Sequence, residues 1–119
     1  MPNSILDIKR PFRAIRYSYA GLKKAITNHA AFRQEILICA VLIPFAFWLG
    51  KNGVEVAVMI GSLLIVLIVE LTNSAIETTI DRISTEKNDL SRKAKDLAAA
   101  AVLISLVNVL IVWVLIILL

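Results

Sequence analysis

Residues 69–82 read Val69-Glu70-Leu71-Thr72-Asn73-Ser74-Ala75-Ile76-Glu77-Thr78-Thr79-Ile80-Asp81-Arg82. They follow an apolar run, Val56 to Val69, which Glu70 ends. Glu70, Asn73, Glu77 and Asp81 lie at offsets 0, 3, 7 and 11. At about 100° per residue, those offsets put all four on one narrow face of an α-helix, within roughly 80° of arc. Ile76, Ile80 and Ile83 share another face. The pattern is that of a helix leaving a membrane with three carboxylates in line, an arrangement that attracts cations. A solvated face of a cytosolic extension is the plain alternative, since charge stripes are usually solvated. Against it, Glu70 sits within about one turn of the hydrocarbon edge, where an ionisable group is costly and marks a functional candidate.

Working outward, the whole chain fits a membrane. It has 119 residues, 59% of them hydrophobic, with a mean hydropathy of +0.81. That length is too short for several domains, and the apolar residues come in long runs. Ile36–Leu49, Val56–Val69 and Leu97–Leu119 are the expected spans. The first two are short and can borrow a turn from their flanks. The single Cys39 lies inside the first and reads as a small apolar residue. No signal peptide is expected, because no apolar core precedes Ile36. Lys and Arg number seven before the first span, one (Lys51) between the first two, and five between the second and third. The positive-inside rule then puts the N-terminus in the cytosol and the C-terminus outside. These cations flank spans and favour anionic headgroups over nucleic acid.

In chain order, Asn3 or Ser4 is expected to cap a first helical turn, and Pro11 to break a continuous helix or start a new one. Ile5, Ile8, Phe12, Ile15, Tyr19, Leu22 and Ile26 recur at spacings of 3 and 4. This is an amphipathic helix suited to the headgroup plane, or to packing on its own protein. Pro44 should kink the first span, and Trp48 suits the outer aromatic belt. Lys51-Asn52-Gly53 reads as a tight turn. Gly61-Ser62 permits close helix packing. Val56–Val69 spans roughly 21 Å, placing Glu70 at the inner interface with Glu77 and Asp81 beyond it. Ser84 to Leu90 reads as a polar turn, and Asp89 or Ser91 as the cap of the last helix. Ala98 to Ala101 offer a smooth surface for a neighbouring helix. Trp113, about 24 Å beyond Asp96, again falls at the outer belt. The fold class expected is all-α: three transmembrane helices (30–50, 54–86 with a cytosolic extension, and 91–119) plus a surface helix over 1–29, in one domain of residues 1–119.

The sequence has no Walker A loop, no Gly-x-Gly-x-x-Gly, no kinase catalytic loop and no zinc spacing. What remains is carboxylates, an amide and cations at the inner face. Oxygen ligands favour Mg²⁺. Mg²⁺ beside Lys and Arg suggests a polyphosphate, because phosphoryl transfer needs charge neutralisation and positioning. A carboxylate near the hydrocarbon edge suits a general base toward a lipid hydroxyl. A small oligomeric proton or cation conductor using Glu70 is the strongest competitor, and a purely structural scaffold a third reading.

At these residues the chain resembles the prokaryotic diacylglycerol kinase family in its Gram-negative form. The resemblance runs through Ala31-Phe32-Arg33-Gln34-Glu35, the stretch quoted above, Glu86 and Ala94-Lys95-Asp96, with Tyr17-Ser18, Trp48 and Trp113 also agreeing. It covers nearly the whole chain, and its core, Glu-x-x-Asn-Ser-Ala-Ile-Glu-x-x-x-Asp-Arg, is long and specific. It implies an ATP- and Mg²⁺-dependent phosphorylation of diacylglycerol to phosphatidic acid by a homotrimer in the inner membrane, with active sites shared between neighbours. By position, Glu70 would be the general base and Asn73 would orient groups beside it. Glu77 would hold the metal. Arg10, Tyr17, Glu77, Glu86, Asn88, Lys95 and Asp96 would surround the nucleotide, with Lys95 toward the phosphates. Arg33, Gln34, Glu35, Trp48, Glu70, Ala99 and Trp113 would border the lipid.

Two departures stand out. His29 occupies a position where this family usually carries a Glu that shares the metal with Glu77, and imidazole suits Mg²⁺ poorly. Ala99 stands where a Ser is common near the lipid, so that hydrogen bond is missing. Undecaprenol kinases share the core motif, which leaves undecaprenol as the alternative acceptor.

Overall fold

The computed structural model describes residues 5–83 and 87–119. Every regular element among them is an α-helix: α1 (Arg10–Asn28), α2 (Ala30–Leu49), α3 (Gly53–Ile83) and α4 (Asp89–Leu118). The caps expected at Asn3 or Ser4 lie outside the described residues, as do Glu86 and part of the turn expected over residues 84–90. Helices α2, α3 and α4 are each long and apolar enough to cross a membrane.

The ends of the helices follow from local chemistry. Pro11 falls in the first turn of α1, where its missing N–H is no loss. Ahead of it, Asp7 accepts from the Lys9 backbone N–H at 3.1 Å and from Arg13 Nη2 at 2.7 Å. A single residue, His29, joins α1 to α2 in extended conformation. Between α2 and α3, Asn52 Oδ1 accepts from the Glu55 N–H at 3.0 Å, and Glu55 Oε1 accepts from the Lys51 N–H at 2.9 Å. This reciprocal pair satisfies donors at the start of α3. A Cβ on Gly50 would meet Val56 Cγ2 at 2.6 Å, so only glycine lets the connection pass so close to α3. The cap of α4 is Asn88, not Asp89 or Ser91. Its Oδ1 accepts from the Leu90 and Ser91 N–H groups at 2.8 and 3.3 Å, a preferred residue in the preferred geometry.

Helix α3 sits between α2 and α4 and packs more extensively on α4. The core is thin: Cys39, Ala46, Met59, Leu63 and Trp113 are buried together, with Leu42, Ile43, Ile60 and Val109 among those packed around them. Cys39 is a free thiol inside that core. Pro44 lies within α2, which continues through it. Gly61 has open space at its Cβ position. The close approach is instead at buried Ser62, whose Oγ donates to the Met59 carbonyl at 2.6 Å and accepts from Trp113 Nε1 at 3.2 Å. Trp113 is therefore turned inward, 9% exposed, whereas Trp48 points outward at 76%. Of the four alanines, Ala98 is buried and Ala99 to Ala101 are exposed. Large apolar side chains such as Leu37, Phe47, Ile68, Leu103 and Ile104 cover the outside, as a surface facing hydrocarbon requires.

Candidate functional site at the C-terminal end of α3

Helix α3 has 31 residues, about 46 Å at 1.5 Å each, so it outruns a hydrocarbon core of roughly 30 Å. The acidic strip occupies the part that extends beyond the apolar run. Its members form a gradient of burial. Glu70 is 6% exposed. Asn73 and Glu77 are half-buried. The Asp81 side chain is 64% exposed. Neighbouring helices supply the cover, since Glu35 on α2 brings its carboxyl group beside that of Glu70. Two adjacent carboxyl groups away from water are costly unless a positive charge comes between them.

One turn along, Asn73 Nδ2 donates to Glu77 Oε1 at 3.4 Å. That bond fixes the amide, leaving Asn73 Oδ1 buried without a hydrogen-bond partner, and Glu35 Oε2 is in the same state. Buried acceptors of this kind need a donor or a cation. Across the next turn, Lys95 of α4 reaches Asp81 Oδ1 with its Nζ at 2.9 Å. The structure thus sets Glu35 near Glu70, bonds Asn73 to Glu77, and bonds Lys95 to Asp81. Asp96 is exposed beside Lys95.

Mg²⁺ is the ion the sequence implies. Among the described residues no three His, Cys, Asp or Glu side chains gather closely enough to hold a metal ion. Asn73 Oδ1 and the carboxylates of Glu77 and Glu70 are nonetheless oxygen donors of the right hardness, and Mg²⁺ commonly binds through one or two carboxylates plus substrate phosphates and water. The residues fit a metal carried by its polyphosphate rather than one caged by the chain.

Beside the strip, α1 and α3 enclose a groove of about 720 Å³, within the range of small-molecule sites. Ser18, Gly21, Lys24 and Ala25 line one side, His29 the end, and Ser74, Thr78 and Thr79 the other. His29 thus faces hydroxyl-bearing residues of α3. Arg10 and Tyr17 are exposed on α1. Gly21, Lys24, Thr78 and Thr79 escaped the sequence reading. The signal was present: Ala14, Ser18, Gly21 and Ala25, at spacings of 4, 3 and 4, form a small-residue edge on α1.

The residues expected to border lipid divide. Gln34, Trp48 and Ala99 are exposed. Arg33 Nη1 donates to the Ile26 and Thr27 carbonyls at 2.9 and 3.0 Å. It therefore closes the C-terminus of α1, where orphan carbonyls attract a cation. Asn88 Oδ1 is engaged in its cap, and Trp113 in the core.

A family profile described as prokaryotic diacylglycerol kinase matches residues 16–117. A diacylglycerol kinase of Haemophilus influenzae is 49% identical over 98 residues, covering 82% of this chain and 83% of its own. The diacylglycerol kinase of Pseudomonas aeruginosa is 47% identical over 106 residues, covering 89% and 86%. That of Escherichia coli K12 is 39% identical over 113 residues, covering 95% and 93%. With the acidic strip of α3 inside the matched region, this chain belongs to the prokaryotic diacylglycerol kinase family.

Proposed function

We propose that this protein transfers the γ-phosphoryl group of ATP to the free hydroxyl of diacylglycerol, giving phosphatidic acid and ADP, at the cytosolic face of the inner membrane. The observation that carries the reading is the burial gradient along α3. A carboxylate shielded at the hydrocarbon edge, Glu70, is continuous with an oxygen-rich strip running into the aqueous extension. A bilayer-held acceptor meets the first and a water-soluble donor the second.

In this mechanism Glu70 takes the proton of the lipid hydroxyl. The hydroxyl oxygen bonds to the γ-phosphorus as the bond from that phosphorus to the bridging oxygen breaks, and ADP leaves with the electron pair. Asn73, fixed by its bond to Glu77, orients groups next to the base. Lys95 stands where it can meet developing phosphate charge once it exchanges Asp81 for the nucleotide, with Asp96 beside it. Glu77 would hold Mg²⁺, which when bound would supply neutralisation of the phosphate charge. The groove beside the strip, lined by Ser18, Gly21 and His29, receives the rest of the nucleotide. A homotrimer with sites shared between neighbours supplies the groups that a single chain lacks.

The test is the purified protein in bilayers with Mg²⁺, γ-labelled ATP, and either diacylglycerol or undecaprenol. Label in phosphatidic acid supports the proposal. Label only in undecaprenyl phosphate keeps the chemistry and replaces the acceptor. An ATP-independent ion flux that Glu70→Gln abolishes, with no labelled lipid, would favour a conductor.

A further inference from the structure

The basic residues of the inner face fall into two groups. Several are engaged within the chain: Arg13 with Asp7, Lys95 with Asp81, and Arg33 with the carbonyls that end α1. Others, among them Arg10, Lys24, Arg92 and Lys93, are exposed and take part in no ion pair among the described residues, and Arg16 and Lys23 belong with these. Both are exposed, and the ion pairs seen among the described residues involve neither.

Their placement on α1 is specific. Taking about 100° per residue, the exposed apolar row Phe12, Ile15, Tyr19, Leu22 and Ile26 centres near 160° when counted from Arg10. The groove-lining edge of Ser18, Gly21 and Ala25 centres near 50° by the same count. Arg16 and Lys23, seven residues apart, fall near 230°. They therefore flank the apolar row on the side turned away from α3. By that count they lie on the face opposite the groove edge of their own chain. Ala25 is the only buried residue of α1, and apart from Leu22, which borders the groove, the row lies exposed in this chain. Arg33 and the one-residue link at His29 tie the end of α1 to the first spanning helix, which holds that row at the membrane surface. A helix so placed sinks its apolar row below the headgroups. Two cations two turns apart on its flank then lie at phosphate depth, over a length of about 10 Å.

We infer that Arg16 and Lys23 form a docking band for anionic phospholipid headgroups of the cytosolic leaflet, outside the candidate catalytic strip. The complementarity is of charge and of depth. The acyl chains lie along Phe12 and Tyr19, while the phosphate meets the guanidinium and the ammonium. Each such cation near an anionic surface contributes about a fivefold preference.

The experiment uses the full chain reconstituted in mixed phosphatidylcholine and phosphatidylglycerol bilayers, extracted gently, with retained lipid counted by native mass spectrometry. The wild-type protein should retain phosphatidylglycerol in excess over its share of the bilayer. Arg16→Gln with Lys23→Gln should cut that enrichment by roughly an order of magnitude or more. Arg16→Lys with Lys23→Arg should keep it, as should Lys51→Gln, which removes a charge from the loop at the other membrane face. Retention in proportion to the bilayer would overturn the inference. So would equal enrichment in the double Gln variant, or a double Gln variant whose only change is in oligomeric mass, which would assign the band to a neighbouring copy. Because the readout is lipid retention and not phosphate transfer, it stands or fails separately from the proposed activity.

Discussion

In the proposed mechanism, Glu70 is the residue on which the chemistry turns. It is buried at the end of the apolar run, and as a general base there it would meet the acceptor hydroxyl with little competition from water. Glu70→Gln preserves shape and hydrogen bonding but cannot take a proton, so phosphate transfer should fall by about 10²–10⁴-fold with unchanged helical circular dichroism. Asp81 calls for a different scale of effect. Its pair with Lys95 is exposed to solvent, and such pairs are worth at most about 1 kcal/mol. Asp81→Asn should therefore change KM for ATP by no more than about fivefold, with a smaller effect on kcat. A hundredfold loss would mean that Asp81 itself touches the reactants. Ser62 and Trp113 test stability instead. Trp113→Phe removes the indole donor to Ser62 Oγ and leaves an aromatic ring in the core. It should cost about 0.6 kcal/mol in bilayer unfolding, the average for hydrogen bonds between membrane helices.

At the scale of helices, the spacing of apolar and polar residues was sufficient for α1, because its two faces differ in chemistry. Pro11 marked its start, although the expected row began at Ile5 and Ile8, which lie ahead of the helix, and from Phe12 the row ran to Ile26 in the last turn. The acidic face of α3 was legible for the same reason. The inward turn of Trp113 was not. A spanning helix is apolar on every side, so its sequence does not say which side meets protein and which meets lipid. Only packing decides, and Ser62 provides the partner that fixes the indole. Cap choice was also local and close-run: Asn88, Asp89 and Ser91 are all good caps, and the chain uses the first. The roles of Arg33 and of the groove edge on α1 depend on how α1 folds back at His29, which no periodicity encodes. Gly50 is the clearest test of these connections. Gly50→Ala would force Cβ against Val56, and should destabilise the α2–α3 corner by roughly 1–3 kcal/mol in unfolding measurements.

For the molecule as a whole, one chain leaves much unfinished. Its core is small, its outer apolar surface suits lipid, and among the described residues no three acidic, His or Cys side chains gather to hold a metal ion. Under the proposed function, substrate and neighbouring copies would complete the site. The central claim is that the strip on α3 joins a membrane alcohol to an aqueous phosphate donor. It is tested most directly by supplying γ-labelled ATP and Mg²⁺ to the purified protein in diacylglycerol-containing bilayers, beside Glu70→Gln and a chelator control. The account predicts labelled phosphatidic acid from the wild-type protein, and loss of the label in the variant and on chelation. A folded wild-type protein that leaves the lipid unlabelled, or a Glu70→Gln variant that labels it at the wild-type rate, would contradict it.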